Sequence, residues 1–245
     1  MSHNYYPITP TIDSGYTSRL EAGGDILTAR NYSSDGMFLS ITEDLRVQGY
    51  SYAGSGGIYT NTRTFLNFDL SDESADGIVV SAVLQLTSGE SSHSYLNNGH
   101  KFYVVEANTA GAISQADYPN LKDRPASGTY ADIVPLYADS ATAVSAVNTQ
   151  YNIDLNGTAI SHLNSEYGTS TKFDLALITE WDYTGDFTEG VDLNPSTPAG
   201  QGVEFHSKTS LTSSYRPLLI LTMSTTTFDI KSAKVIIKSG QLIIK

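Results

Sequence analysis

Short runs of alternating apolar and polar residues recur along this chain, broken by clusters of Gly, Ser, Asn, Asp and Pro. That pattern restricts it to strands joined by turns. In Arg63-Thr-Phe-Leu-Asn-Phe-Asp-Leu70, residues Leu66, Phe68 and Leu70 fall on one face and Asn67 and Asp69 on the other. In Ile78-Val-Val-Ser-Ala-Val-Leu-Gln-Leu86 the same spacing predicts Ile78, Val80, Ala82, Leu84 and Leu86 on one side. Residues 101–106, 151–155, 173–179 and 202–206 read as further strands, and Pro217–Met223, apolar on both faces, is expected in the middle of a sheet. Helical spacing is scarce. Thr158–Glu166 predicts two turns with Ile160 and Leu163 inward, and residues 138–147 are either a short Ser/Thr-broken helix or loop. Strands do not alternate with helices in the manner of a parallel sheet. The expected class is therefore all-β, a jelly-roll-like antiparallel β-sandwich.

Composition narrows the partners. Charged residues make up only 16% of the 245, and small polar residues and 16 Tyr take their place, which suits a loop-rich extracellular or virion β-protein. The net charge of −12 argues against nucleic acid or an anionic membrane surface as partner. No run reaches the ~20 apolar residues of a membrane span. With no cysteine there is no disulfide framework, thiolate zinc site or cysteine nucleophile. The first residues, Met1-Ser-His-Asn-Tyr-Tyr-Pro7, show no secretory leader, so a chain acting outside its cell is expected to have lost one or to leave by lysis.

The segments Arg63-Thr-Phe-Leu-Asn-Phe-Asp-Leu-Ser71, Ser81-Ala-Val-Leu-Gln-Leu86, Val203-Glu-Phe-His-Ser207 and Arg216-Pro-Leu-Leu-Ile-Leu221 together resemble the DNRLRE-type domain family. The resemblance runs from about Gly24 to Met223. It implies a jelly-roll sandwich related to carbohydrate-binding modules, of the kind found in secreted surface proteins and phage structural proteins. Its motifs are core strands, which speak to fold more than to function.

Two candidate sites lie in loops. Glu180-Trp-Asp-Tyr-Thr-Gly-Asp-Phe-Thr-Glu-Gly-Val-Asp192 follows a predicted strand and gathers acids. Asp182, Asp186, Glu189 and Asp192 are either a solvated acidic loop or oxygen donors for Ca2+. Trp181 and Tyr183 in this segment, with Tyr50, Tyr52 and Tyr59 in the Gly/Ser-rich stretch 49–59, are candidate sugar-stacking rings. The plain alternative is that they cover sandwich edges or subunit contacts. Enzyme signatures are absent: there is no H-E-x-x-H, no P-loop and no G-x-S-x-G, and the five His are dispersed. No catalytic residue is expected.

The end of the chain carries the most information. Domain 1–223 is expected to be the sandwich, and 224–245 a linker followed by a β-hairpin used for docking. Lys234-Val-Ile-Ile-Lys-Ser-Gly-Gln-Leu-Ile-Ile-Lys245 predicts a Ser239-Gly240 turn that pairs Ile237 with Leu242, Ile236 with Ile243 and Val235 with Ile244. Two such strands are marginal alone in water, so these six residues are assembly candidates that dock either on their own domain or, as favoured here, on another chain. After Asp229 there is no acid, while Lys231, Lys234, Lys238 and Lys245 make the tail basic. The expected function is a non-catalytic structural protein of an assembled particle. A phage virion component fits best: a capsid decoration, fibre or tail-associated protein that contacts copies of itself or other virion or surface proteins. The alternative is a carbohydrate-binding adhesion module whose partners are glycans. Either role places the protein on a virion or an extracellular surface.

Overall fold

The structure, a computed structural model, describes residues 3–8, 15–22, 38–40, 45–52, 58–71, 77–89, 100–109, 113–117, 121, 135–167, 172–184, 199–224, 235–238 and 241–244. Its strands are β1 (His3–Ile8), β2 (Gly15–Ala22), β3 (Phe38–Ser40), β4 (Leu45–Tyr52), β5 (Ile58–Asp69), β6 (Ile78–Thr87), β7 (His100–Glu106), β8 (Thr142–Val144), β9 (Gln150–Asp154), β10 (Lys172–Thr179), β11 (Ala199–Phe205), β12 (Leu218–Ser224), β13 (Val235–Lys238) and β14 (Gln241–Ile244). Helices α1 (Gly157–Glu166) and α2 (Glu180–Thr184) sit between β9 and β11. The fold is all-β, and every strand pairing described is antiparallel.

One sheet has four strands in the order β1-β12-β6-β9; the other has eight, running β11-β4-β5-β10-β7-β8, with β2 paired to β5 and β3 to β2. Several neighbours are distant in sequence (β12 lies between β1 and β6, β10 between β5 and β7), and the chain passes repeatedly from sheet to sheet, as in a jelly roll. The main core lies between them. Leu66, Phe68, Phe102, Val104, Phe173, Leu175 and Leu177 from the larger sheet meet Val79, Ala82, Leu84, Leu86, Leu219, Leu221 and Met223 from the smaller. At one seam Ser88, just past β6, lies opposite Phe205 at the end of β11, and the two sheets are joined there by Gly89 N donating to Glu204 O (2.7 Å) and His206 N donating to Thr87 O (2.9 Å).

A second apolar cluster unites Phe65, Val105, Ala107, Ala176 and Ile178 with Ile113 and Leu121, and with the half-buried Tyr103, Leu136 and Tyr183. Strand β10 therefore feeds two cores by alternation: Phe173, Leu175 and Leu177 join one, Ala176 and Ile178 the other. As expected, β12 lies centrally, paired on both edges.

Two expectations are corrected. In β6 the register passes from Thr222↔Ser81 to Met223↔Val79, so β6 holds one extra residue, Val80, at a β-bulge. A bulge reverses the alternation beyond it. Val79 is accordingly buried against Met223, whereas Ile78 and Val80, expected inside, are 58% and 45% exposed. Asn164 of α1 fixes this point: its side chain accepts from Val79 N (2.8 Å) and donates to Val79 O (2.9 Å). Residues 138–147 form no helix; Thr142–Val144 is strand β8, paired with β7 and burying Val144. The other helix forms as expected. Asn156 caps α1 by accepting from Thr158 N and Ala159 N, and Leu163 and Ala159 are buried with Ile160 packed beside them.

The bulge makes an opposed pair of predictions for urea unfolding at dilute concentration. Val79→Ala should cost about 1–3 kcal/mol as a core truncation, and Val80→Ala less than about 0.5 kcal/mol. Equal losses at the two positions would contradict the bulge.

Candidate functional site

The long strand β5 is buried on both faces from Thr60 to Phe68, and a charge, Arg63, lies within that stretch. Pairing explains why this position is special. Strand β2 runs along β5 from Ile58 to Phe65. The opposite edge is shared by β4, paired over Ile58–Thr62, and β10, paired over Thr64–Asp69. Arg63 falls in the fork between them. Thr64 Oγ1 donates to Arg46 O (2.7 Å) and so satisfies a carbonyl of β4 where that strand departs.

Helix α2 delivers the counter-charge. Thr179, the last residue of β10, accepts from Asp182 N through its hydroxyl (3.1 Å), a cap that turns the chain into a helix where the sequence reading expects loop. Asp182 is thereby placed on Arg63: Nε donates to Oδ2 at 2.6 Å and Nη2 to Oδ1 at 2.7 Å, with both side chains fully buried. Such a two-pronged guanidinium–carboxylate pair is the strong form of this contact. Asp182 therefore holds an internal cation, a role that needs no metal. Asp186, Glu189 and Asp192, the rest of the expected Ca2+ set, lie outside the described residues. Within the described residues no group of three His, Cys, Asp or Glu is arranged to hold a metal ion.

The expected sugar-stacking residues belong to three elements, β4, β5 and α2. The ring of Tyr183 is half-buried and packs on Tyr103 with centroids 4.4 Å apart. Trp181 belongs to α2 by its backbone. Positions 50 and 52 of β4 lie opposite Thr60 and Ile58, while position 59 lies opposite Ser51. The register thus places Tyr50 and Tyr52 on one face of this strand pair and Tyr59 on the other.

The hairpin forms with the expected register: Val235↔Ile244, Ile236↔Ile243, Ile237↔Leu242, then Lys238↔Gln241. It makes a two-stranded sheet of its own. The register also distinguishes its faces. Positions 235, 237, 242 and 244 share one face, all aliphatic, whereas positions 236 and 243 share the other with Lys238 and Gln241.

Dispersal of the His in sequence conceals one cluster. The buried ring of Tyr137 stacks on Phe173 (5.4 Å, 11°), and its hydroxyl hydrogen-bonds His162 Nδ1. Glu106 Oε1 lies 3.6 Å from that nitrogen, and Glu166 Oε1 lies 3.5 Å from Nε2. The i,i+4 spacing of His162 and Glu166 on a predicted helix is the signal that could have shown half of it. Burial, and then the neighbouring Glu106 carboxylate, push the Tyr137 phenol far above its ordinary range. The cluster joins α1 to the core from Asn156 inward, where Asn156 Nδ2 also donates to Leu136 O. Its geometry is that of a packed support.

Compared with known proteins, the chain matches no family model, and no curated protein shares significant sequence similarity with it.

Two outcomes follow from these buried groups. Asp182→Ala strands a buried guanidinium and should cost about 3–5 kcal/mol in urea unfolding, whereas Arg63→Met combined with Asp182→Leu should recover most of that loss. If the double variant is as unstable as the single one, the pair is not what holds the fork. The raised Tyr137 pKa keeps the phenol neutral in the fold while an unfolded tyrosine ionises near ~10. Its contribution is therefore complete below that pH and lost as pH rises above it. Tyr137→Phe should flatten the decline of unfolding free energy between about pH 9.5 and 11.5, and an unchanged slope would contradict this.

Proposed function

We propose that this chain is a non-catalytic structural subunit of an assembled particle and that its C-terminal hairpin is the docking element. The carrying observation is that β13 and β14 form a separate two-stranded sheet with an all-aliphatic face. A hairpin of that kind is marginal by itself in water. Covering four aliphatic side chains contributes about 6–12 kcal/mol before ordering costs, enough to fix the hairpin on a partner and too much to leave wet. Charge supports the same reading. The last sixteen residues carry four lysines and no acid; removing those lysines from the total of −12 leaves −16 on residues 1–229. A basic tail on an acidic body favours contact with another copy.

The resemblance to DNRLRE-type domains, with phage structural proteins among them, supports a virion component as the kind of particle: a decoration, fibre or tail-associated protein. The carbohydrate-binding reading draws less support, because Tyr183 is already committed to Tyr103 and the tyrosines of β4 and β5 do not share one face.

Light scattering tests the proposal on full-length chains. The unmodified protein should have a mass of two chains or more. The variant carrying Ile237→Lys and Leu242→Lys should be a folded monomer of 26.4 kDa, with an unchanged far-ultraviolet circular dichroism spectrum. Equal masses for the two proteins would refute the hairpin as an assembly element.

A further inference from the structure

We infer that Asn156 is a site of spontaneous covalent modification, the conversion of its side-chain amide to a carboxylate through a cyclic imide, and that the docking of α1 holds this site closed. Asn156-Gly157 is one of two Asn-Gly pairs in the chain, the other being Asn98-Gly99. The reaction needs a side-chain amide followed by an unhindered backbone nitrogen. Gly157 N attacks Asn156 Cγ, the Cγ–Nδ2 bond breaks, and the nitrogen leaves as ammonia with the proton that Gly157 N gives up. Water then opens the imide at either carbonyl, giving aspartate or its isomer joined to Gly157 through the side-chain carboxyl. Gly157 suits the attack. It is exposed, and beyond its chain neighbours and the backbone of its own helix nothing stands within 4 Å of where a Cβ would be.

The amide that must be attacked is clamped. Its Oδ1 accepts from Thr158 N (3.1 Å) and Ala159 N (3.2 Å), and its Nδ2 donates to Leu136 O (2.9 Å). The backbone is pinned as well: Asn156 N donates to Tyr137 O (2.8 Å), and Asn156 O accepts from Ile160 N (3.0 Å). Ring closure requires Gly157 N to eclipse Asn156 Cβ, whereas the extended ψ of −179° holds the two gauche. Reaching the eclipsed arrangement breaks the cap, the first helical bond and the link to Leu136 together. The reaction therefore belongs to molecules in which α1 has opened. Its product does not restore the joint. Aspartate caps a helix as well as asparagine does, but it has no Nδ2 proton for Leu136 O and sets a carboxylate against that carbonyl. The isomer adds a backbone atom ahead of α1 and carries Thr158 N and Ala159 N away from the cap. Residues 135–137, bonded to β7 through Glu106 N to Pro135 O and Tyr137 N to Val104 O, thereby lose their tie to the cap of α1. The chain thus accumulates an irreversible record of the opening of α1.

The test follows the full-length chain at mildly alkaline pH in native buffer and in urea at a concentration that unfolds it. Digestion and mass spectrometry read the amide-to-acid conversion at each asparagine, with Asn98 as the reference for reaction in urea. In buffer Asn156 should convert at least about tenfold more slowly than it does in urea, because only the open fraction reacts. Ile160→Ala, which loosens the packing of α1 and keeps the Asn-Gly pair, should raise the rate at Asn156 in buffer and leave its rate in urea unchanged. Asn156→Asp should have a lower urea midpoint than Asn156→Ser, since the two cap alike and only the carboxylate is repelled by Leu136 O. Equal rates at Asn156 in buffer and in urea, or an Ile160→Ala rate in buffer no higher than that of the unmodified sequence, would overturn the gating by α1. An Asn156→Asp variant as stable as Asn156→Ser would overturn the repulsion at Leu136 and with it the loss of the joint.

Discussion

A guanidinium buried in the middle of the longest strand is the constraint around which the larger sheet is arranged. Strand β5 is enclosed on both faces, so Arg63 has no route to water, and an unpaired charge there would be intolerable. Its partner arrives by a chain of local causes. Strand β10 pairs with the far half of β5, ends at Thr179, and is turned by the Thr179 cap into the short helix that sets Asp182 on Arg63. The pair thus joins residues 119 apart in sequence at the fork where β4 departs and β10 begins. Desolvation offsets much of its attraction, so its main physical effect is to penalise any register in which the two charges do not meet. The same arrangement governs the outer cluster: Tyr183, next to Asp182, is brought onto Tyr103, whose phenol is pushed up by burial and by the Glu180 carboxylate.

The smaller sheet is organised by a different local event. One additional residue in β6 makes inside and outside exchange parity, and α1 stabilises the exchange because Asn164 takes both backbone groups of Val79. Without that side chain the edge of β6 beyond the reach of β9, which pairs only from Val83 onward, would present those groups unpaired. Close packing near the bulge leaves little freedom. A Cβ added at Gly77 would stand 2.9 Å from Ser224 O, so the start of β6 and the end of β12 are in direct apposition.

Strand content, sheet-centre placement of β12, the inward residues of β5 and the hairpin register are all legible in the sequence, because each follows from side-chain period or from a two-residue turn. The bulge is not. Ile78-Val-Val80 is apolar at every position, so the period carries no phase information there and the alternation of Ala82, Leu84 and Leu86 is extended one residue too far. The Arg63–Asp182 pair is equally hidden, since a charge in a strand reads as an outward position until strands are known to cover both faces. Its helix was legible in principle: Thr179-Glu-Trp-Asp182 has the spacing of a capping box, but the surrounding acids favoured a loop reading. The Tyr137–His162–Glu106 contact joins a connecting segment to α1 and β7, and no sequence spacing encodes it.

The charge of the tail bears on one question, the symmetry of the proposed assembly. A two-fold contact between identical patches would place hairpin on hairpin, setting four lysines against four. A contact between unlike patches would join the basic tail to a body that carries the whole of the negative charge. If copies assemble through the tail as proposed, such a contact would close as a reciprocal exchange between two copies or propagate as an open array. The length and stiffness of the connection between Ser224 and Val235, which contains four Thr/Ser in succession from Ser224 to Thr227, would then decide between the two.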